Sequence, residues 1–573
     1  MSAFAESQRL RMSSMEALPQ LALLGLAAGL LTGVVVIGFR AAVEGSQMAL
    51  LPSGVEDDFE SLPPLARFVL IMAGAVVIGA VLQLLKSPPR LGVVHVIERL
   101  QYHQGRLPLL ASVIQFISAA TAIICGHSVG REGPTVHLGA ATASLMGQRL
   151  GLPNNSIRTL VGCGVAAAIA AGFNTPLAGV IFAMEVVLME YTITGFIPII
   201  LASVSATVLT RAVYGHDAVF TAAQWQWNAV AELPYTLALG IILGCLAGTF
   251  SWITSRSARL SGNLPIFVRI TSGGLAVALV ALLVPEVMGI GYDTVNDALA
   301  GEILLGSLIA ITAAKLLATS LCIGLGSPGG LIGPTIVIGA TAGAMSGAAA
   351  NALFGAGVSP GFYAMLGMGA MMGAVLQAPL AALLALLELT ASPDVIMPGM
   401  AAVVTAAIFS SIVMRQPSIY RSIMLSSGLD FRNDPMSQAL SRIGVARAMV
   451  RRIARAERRL SRAAAEKLLA DEPLWILVRE QDSPVALLPA ADLARHLDEL
   501  DAEQEPELDL LDIPAERLDL ACTDVLASVQ DARQVLDQSG KQALYVTGGH
   551  GAGRRKIYGV VTREDIDRAY RTS

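Results

Sequence analysis

The apolar segments within the first 414 residues constrain the fold more than any other feature of the sequence. The hydrocarbon core of a bilayer is about 30 Å thick and needs about 20 apolar residues in a straight helix. Runs such as 21–40, 68–85 and 303–322 therefore predict complete spans. Other runs are shorter or contain glycine and proline, which predicts helices that end inside the membrane. Such ends are tolerated only where the backbone is buried in protein or lines an aqueous cavity. The interrupted runs are 134–146, 161–187, 331–350 and 363–389.

The composition also indicates a membrane protein. Charged residues make up 14% of the chain, against about 25% in a typical soluble protein. The 55 glycines favour close packing of membrane helices. No lysine- or arginine-rich face indicates nucleic-acid binding. The five cysteines lie far apart without a CxxC pair, so we expect buried apolar residues and neither a disulfide framework nor a metal site.

Two stretches of the apolar region recur later in the chain. GREGPTVHLGA at 130–140 resembles GLIGPTIVIGA at 330–340, with an offset of 200 residues. NTPLAGVIFAME at 174–185 resembles QAPLAALLALLE at 377–388, with an offset of 203. Paired halves with segments interrupted by glycine and proline are typical of transporters whose binding site lies between the halves. The repeat therefore predicts a site between residues near 130 and residues near 330.

The GREGP sequence at 130–134 places a carboxylate at the start of a membrane helix. Proline favours the first helical turn, and the unpaired N–H groups and positive dipole of a helix start bind anions. Glu132 would compete with an anion for that site, and protonation or movement of its side chain would vacate it. An ionisable residue inside the membrane is a functional candidate by default. The alternative is a structural ion pair between Arg131 and Glu132.

The chain changes character after Tyr420. The stretch RAMVRRIARAERRL predicts a basic helix within residues 434–466, and arginine just past the last span places that end in the cytoplasm. Residues 475–497 and 543–570 each predict a strand, a turn, a strand and a helix. We therefore expect a second, smaller repeat in a soluble α/β module.

The GREGP motif in this setting resembles the CLC family of chloride channels and transporters. GGLIGP at 329–334 is similar to the family's second anion motif, and SIYRSIML at 418–425 to its pore-tyrosine segment. The resemblance implies an all-α polytopic membrane protein with an inverted repeat and broken helices, plus a small cytoplasmic α/β domain. The expected segments are an N-terminal stretch 1–17, a transmembrane domain 18–425 with repeats of about 18–225 and 230–425, and a tail domain 435–573.

The resemblance assigns roles residue by residue. Glu132 matches the gating glutamate, and an intramembrane lysine matches Lys315, which we expect to bind carbonyl groups or a carboxylate. The implied anion ligands are the backbone N–H groups around Arg131 and Gly133, those of Leu331 and Ile332, and the hydroxyl of Tyr420.

Three positions depart from the family pattern. The first anion motif aligns with RLGVV at 90–94, where Leu91 replaces the serine hydroxyl beside Gly92. Ile332 replaces a phenylalanine, which matters less because the backbone is the expected ligand. Val186 stands at the inner proton-relay glutamate and cannot carry a proton, which favours passive conduction. We expect the neighbouring Glu185 to be structural, since Glu388 is its repeat mate.

The tail resembles a CBS domain pair. GVVTRED at 559–565 fits that family's nucleotide pattern, so Thr562 could meet a phosphate and Asp565 a ribose of an adenine nucleotide. The first copy has Pro489 at the hydroxyl position, which limits nucleotide binding to one half. A structural dimerisation module is the alternative.

These features and the resemblance predict a chloride channel in the cell (inner) membrane, with the tail in the cytoplasm and no required cofactor. The resemblance alone implies a homodimer. A proton-coupled antiporter that uses another proton route is one alternative, and a membrane-anchored nucleotide sensor without transport is another. Nitrate, bromide and fluoride remain open as ions. The apolar region has no HExxH motif, Ser/His pair or paired catalytic carboxylates, so we do not expect an enzyme.

Overall fold

A computed structural model describes residues 18–85, 91–216, 219–220, 229–354, 359–429, 435–481, 483–499, 507–548 and 556–571. The predicted segment 1–17 lies outside this part of the chain. The structure divides into two compact units. The helical unit comprises Leu18–Arg149 and Ile157–Phe431, and the C-terminal unit comprises Leu150–Ser156 and Arg432–Ser573.

Within the described residues, the α-helices of the helical unit form two sets of eight, followed by one more. The first set is α1 (Leu18–Leu50), α2 (Pro64–Leu84), α3 (Val93–Tyr102), α4 (Leu109–Ile124), α5 (Glu132–Leu150), α6 (Asn154–Phe173), α7 (Pro176–Phe182, continued by a π-helical turn Ala183–Leu188) and α8 (Ile193–Tyr214). The second set is α9 (Ala229–Leu260), α10 (Ile266–Ala281), α11 (Tyr292–Ala300), α12 (Leu305–Gly324), α13 (Ile332–Phe354), α14 (Pro360–Leu376), α15 (Pro379–Thr390) and α16 (Ile396–Ile408, continued by a π-helical turn Phe409–Val413). Helix α17 (Ile419–Ser426) follows.

The two sets are copies of one arrangement. The third helix is short in both, with 10 residues in α3 and 9 in α11. Helix α1 packs on α8 as α9 packs on α16, and the mates α2 and α10 pack on each other, as do α7 and α15. Eight helices among the described residues are long and apolar enough to cross a membrane, and several apolar helices are shorter. The predicted repeat and the predicted broken helices are confirmed.

The repeat mates Glu185 and Glu388 each cap a helix of the other half. The Glu388 carboxylate accepts the N–H groups of Leu177 and Ala178 at 3.0 and 2.8 Å. The Glu185 carboxylate accepts those of Leu380 and Ala381 at 3.3 and 2.7 Å. The first four N–H groups of a helix have no partner within the helix. A negative charge at that end is also stabilised by the positive end of the helix dipole. The arrangement accounts for Glu185 as a structural residue.

We expect Glu388→Ala and Glu185→Ala to destabilise the protein by similar amounts, about 1–3 kcal/mol each, because each removes one charged cap. Thermal unfolding of the purified protein in detergent measures the loss. Glu185→Gln keeps one acceptor oxygen and should lose less. If Glu185→Ala changed the pH profile of transport while leaving the unfolding temperature unchanged, the structural assignment of Glu185 would be wrong.

The strands among the described residues of the C-terminal unit are β1 (Ile453–Glu457), β2 (Arg459–Ser461), β3 (Trp475–Glu480), β4 (Ser483–Pro489), β5 (Glu507–Asp509), β6 (Leu518–Asp524), β7 (Ala543–Gly548) and β8 (Lys556–Thr562). Six of them form a sheet in the order β1-β3-β4-β6-β7-β8. Within each half of the sheet one pair is parallel and the next antiparallel: β1–β3 and β3–β4, then β6–β7 and β7–β8. The helices are α18 (Pro435–Ser441), α19 (Val445–Ala448), α20 (Arg462–Leu469), α21 (Ala490–Glu499), α22 (Val529–Ser539) and α23 (Arg563–Arg571).

The smaller repeat occurs as predicted, but the basic helix within 434–466 is wrong. Its centre forms β1 and β2, and β1 pairs in parallel with β3, with Ile453 opposite Trp475. One of the arginines that suggested a helical face, Arg458 between β1 and β2, forms ion pairs with residues of other strands. It binds Asp509 of β5 at 3.0 Å and Glu480 of β3 at 3.1 Å. Long-range pairing has overridden the local pattern, and charged residues are common on an edge strand such as β1.

Candidate anion site

Two glycine loops, one from each repeat, meet inside the helical unit. The Gly130 N–H donates to the Gly330 carbonyl at 2.7 Å, and the Gly330 N–H donates to the Gly130 carbonyl at 2.6 Å. Helix α5 begins at Glu132 and α13 at Ile332, directly after these loops. Two helix starts, each with unpaired N–H groups and a positive dipole end, therefore lie side by side.

The Glu132 side chain lies at the start of α13. It is 0% exposed, and its Oε1 accepts the Gly333 N–H at 3.0 Å. Its Oε2 has no hydrogen-bond partner among the described residues. A carboxylate thus occupies the position at which a helix start would bind a free anion.

Three glycines leave the space that the Glu132 carboxyl group fills. A Cβ atom added to Gly130 or Gly330 would overlap Oε2, and one added to Gly333 would lie 2.9 Å from Oε1. At Gly130 the nearest atoms all belong to the Glu132 side chain, whereas at Gly330 they include the backbone nitrogen of Gly133 at 2.6 Å. The backbone approaches the carboxylate closely because these residues lack side chains.

Arg131 has a partner other than Glu132. Its Nη1 lies 3.3 Å from Glu44 Oε1 on α1, and the same oxygen lies 3.0 Å from Arg40 Nε. The side chains of this cluster are largely buried, with 13–15% exposed. The ion-pair alternative for Arg131 and Glu132 is therefore not the observed arrangement, and Glu132 is left to bind helix N–H groups.

Side chains from elsewhere in the helical unit bind both the carbonyl groups and the N–H groups of the segment before α11. Lys315 Nζ donates to the carbonyls of residues 286, 287, 288 and 289 at 3.0–3.4 Å. The Asp57 carboxylate, in the loop after α1, accepts the N–H groups of Ile290 at 3.1 Å and Gly291 at 2.9 Å. Burial raises the pKa of Asp57 to about 6, against the opposing effects of the Gly291 N–H and Lys315. The two N–H groups favour the ionised carboxylate, since hydrogen bonds donated to the charged form stabilise it.

This anchored segment carries Tyr292, which the sequence reasoning missed. The Tyr292 hydroxyl lies beside the Glu132 carboxylate, close enough to interact with it electrostatically. The repeat could have indicated Tyr292, because Gly92 recurs as Gly291 and Val96 as Val295, at an offset of 199. Both glycines precede a short helix with positive φ, 76° and 83°. Tyr292 is thus the repeat mate of Val93, just after the degenerate first motif.

The remaining predicted residues lie around the same point or are engaged elsewhere. Tyr420 is buried in α17, which packs on α3, and it interacts electrostatically with Glu132. A Cβ on Gly92 would lie 3.8 Å from the Gly133 carbonyl oxygen, so the starts of α3 and α5 are close. The Gly92 N–H, however, donates to Gln115 Oε1 at 2.7 Å.

Four further predicted residues are buried or pack against apolar side chains, and Arg90 of the first motif lies outside the described residues. Leu91 packs against an apolar cluster. Leu331 and Ile332 are buried where α13 begins, and Val186 is buried in the π-helical turn after α7. The first motif therefore contributes neither a hydroxyl nor the Gly92 N–H to the site.

In the C-terminal unit, Thr562 and Asp565 bind each other. The Thr562 hydroxyl donates to Asp565 Oδ2 at 2.8 Å, the Thr562 N–H donates to it at 3.0 Å, and the Asp565 N–H donates to the Thr562 hydroxyl at 3.3 Å. This is the reciprocal pattern of a capping box, here at the start of α23. Both side chains are buried, so the arrangement favours a structural role for them.

Two repeats of broken membrane helices whose starts converge on one buried carboxylate define a membrane protein for anion transport. The family model for voltage gated chloride channels matches residues 73–411. The chain belongs to this family.

Relatives agree with this assignment, and solved structures share the fold. The chain is 33% identical over 410 residues to a ClcB-like protein of Ralstonia nicotianae, covering 70% of this chain and 94% of the relative. It is 29% identical to the H+/Cl− exchange transporter ClcA of Vibrio parahaemolyticus, over 57% of this chain and 71% of the relative. The structure of a slow cyanobacterial Cl−/H+ antiporter matches with a TM-score of 0.63 and 24% identity, covering 73% of this chain and 99% of that one. The structure of a eukaryotic CLC transporter matches with a TM-score of 0.61 and 19% identity, covering 96% and 99%.

Proposed function

We propose that this protein conducts chloride passively and that Glu132 is its gate. The observation that carries the proposal is the position of the Glu132 carboxylate, which accepts the Gly333 N–H at the start of α13. An anion and this carboxylate compete for the same donors. Anion passage therefore requires the side chain to be protonated or to move away.

The ligands that we propose for the anion surround this point. The N–H groups around Arg131 and Gly133 form the outer position, and those of Leu331 and Ile332 form the central position. Tyr420 donates its hydroxyl to the central ion. Because Leu91 supplies no hydroxyl and the Gly92 N–H is bound to Gln115, the central position depends on the second repeat and on α17. Chloride is the proposed ion because it is the ion in the names of several relatives.

The choice of passive conduction rests on Val186. It is buried in the π-helical turn after α7. The family resemblance aligns it with the inner proton carrier of the exchangers, and a valine side chain cannot take up a proton. Relatives named as H+/Cl− exchangers make proton coupling by another route the alternative.

Proton movement in proteoliposomes separates the two mechanisms. We expect the reversal potential to follow the chloride gradient and a chloride gradient to drive no proton uptake, because the valine breaks an inner proton path. Proton uptake against its gradient, in fixed ratio to chloride efflux, would show exchange and overturn the channel proposal. Liposomes without protein provide the control for leak.

For the C-terminal unit we propose a CBS-like pair that contributes to a homodimer, on the cytoplasmic side of the inner membrane. The mutual hydrogen bonds of Thr562 and Asp565 support a structural role. Adenine-nucleotide binding would require these bonds to open. Tight nucleotide binding by a protein without anion flux would favour the sensor alternative.

A further inference from the structure

The Tyr292 hydroxyl faces the Glu132 carboxylate at the gate. The hydroxyl and Glu132 Oε2 are both sealed from solvent, and neither makes a hydrogen bond of regular geometry within the described residues. The hydroxyl nevertheless interacts with the carboxylate. A buried hydroxyl needs a hydrogen-bond partner, and the carboxylate is the acceptor within its reach. When that side chain leaves, the hydroxyl needs another acceptor in its place.

The Tyr292 ring is fixed from several sides. The Phe220 ring packs edge-on at 5.3 Å with an interplanar angle of 85°, and the Arg131 guanidinium lies 5.5 Å from the ring centre. The preceding Gly291 N–H is held by Asp57 at 2.9 Å. The hydroxyl is therefore preorganised at the gate, and a bound ion would gain its hydrogen bond with little ordering of the side chain.

The Glu132 carboxylate shows which donors an anion would meet. Its oxygens stand in for the anion, so a donor that faces the carboxylate faces the anion once the side chain has left. Oε1 accepts the Gly333 N–H, and the carboxylate also interacts with the Tyr292 hydroxyl. Tyr292 directly follows the motif glycine of the second half, where the first half has Val93. The hydroxyl that the first motif has lost belongs to the other side of its glycine, at Leu91.

We propose that Tyr292 is an anion ligand of the outer site, donating its hydroxyl to the ion after Glu132 has moved away. The proposal rests on anion transport through this site. The proposal adds a hydroxyl ligand from the second repeat. The family pattern has hydroxyl ligands only at the serine position of the first motif, which is Leu91 here, and at Tyr420. The ligand class is a small monovalent anion, with chloride as the ion to test.

The test is made in the Glu132→Ala background, where no carboxylate competes for the hydroxyl. Tyr292→Phe removes only the hydroxyl and keeps the ring contacts. Because a hydrogen bond to a charged group contributes about 1.5–3 kcal/mol, we expect the double variant to bind chloride at least roughly tenfold more weakly by calorimetry. Tyr363→Phe in the same background is the matched control, since the Tyr363 hydroxyl lies near Glu232 and Thr236.

Three outcomes are informative. A loss of affinity with Tyr292→Phe but not with Tyr363→Phe supports the proposal. Equal chloride affinity with and without the Tyr292 hydroxyl overturns it, and an effect seen only when Glu132 is present assigns Tyr292 to positioning the gate and overturns it as well. Glu132→Ala alone tests anion transport: absence of both chloride binding and flux in that variant would contradict the proposed function itself.

Discussion

Glu132→Ala is expected to make anion flux independent of pH and to raise flux at neutral pH to the level that the wild type reaches in acid. The ionised carboxylate of the wild type accepts the Gly333 N–H at 3.0 Å and competes with the anion. Protonation weakens that competition, so wild-type flux should rise as the pH falls. Alanine has nothing to titrate and cannot reach the site. Chloride efflux from proteoliposomes over a series of pH values measures the effect.

Glu388→Gln is the matched control for this experiment. It changes a carboxylate of the same unit that caps α7 and lies outside the gate, so its pH profile should remain that of the wild type. An unchanged pH profile in Glu132→Ala would count decisively against Glu132 as the gate.

Gly130→Ala is expected to open the gate while leaving Glu132 in the chain. A Cβ on Gly130 overlaps the Glu132 carboxyl group, and the atoms nearest to it all belong to that side chain. No backbone atom is among them, and φ at Gly130 is not in the left-handed region. The added methyl group is therefore accommodated most easily by a rotation of the Glu132 side chain out of the site. Flux at neutral pH should rise to nearly that of Glu132→Ala, with little dependence on pH.

A double-variant cycle tests this mechanism. In the Glu132→Ala background Gly130→Ala should have no further effect, so the coupling equals the whole effect of the single change. Gly38→Ala, where an added Cβ meets no atom within 4 Å, serves as the control and should leave flux unchanged. Additive effects of Gly130→Ala and Glu132→Ala would mean that the methyl group acts on the pore by some route other than the carboxylate.

The repeat in the sequence predicted more of this site than any single motif did. The offset of 200 residues placed Gly130 and Gly330 together, and the structure joins them by two hydrogen bonds. The same offset would have indicated Tyr292, but only two of the residues compared near Gly92 are identical, too few to notice beside a motif that had lost its serine.

Other contacts could not be predicted because they depend on tertiary distance. Asp57 lies 234 residues from Gly291 in sequence, and Arg131 finds Glu44 across 87 residues. Neither Asp57 nor Glu44 belongs to a sequence motif that would have marked it as a ligand of these groups. The strands at 453–461 were missed because their arginines have a spacing that also suits a helix face, and only the pairing with β3 decides between the two structures.

The reciprocal caps have a consequence for biosynthesis. The start of α7 receives its acceptor from a residue 211 positions later, which corresponds to roughly 10–40 seconds of translation at about 5–20 residues per second. During that interval the first half is already in the bilayer with N–H groups unpaired at α7 and at Gly130. It is therefore an assembly intermediate and cannot be a finished folding unit. Halves expressed as separate chains should accumulate only when produced together.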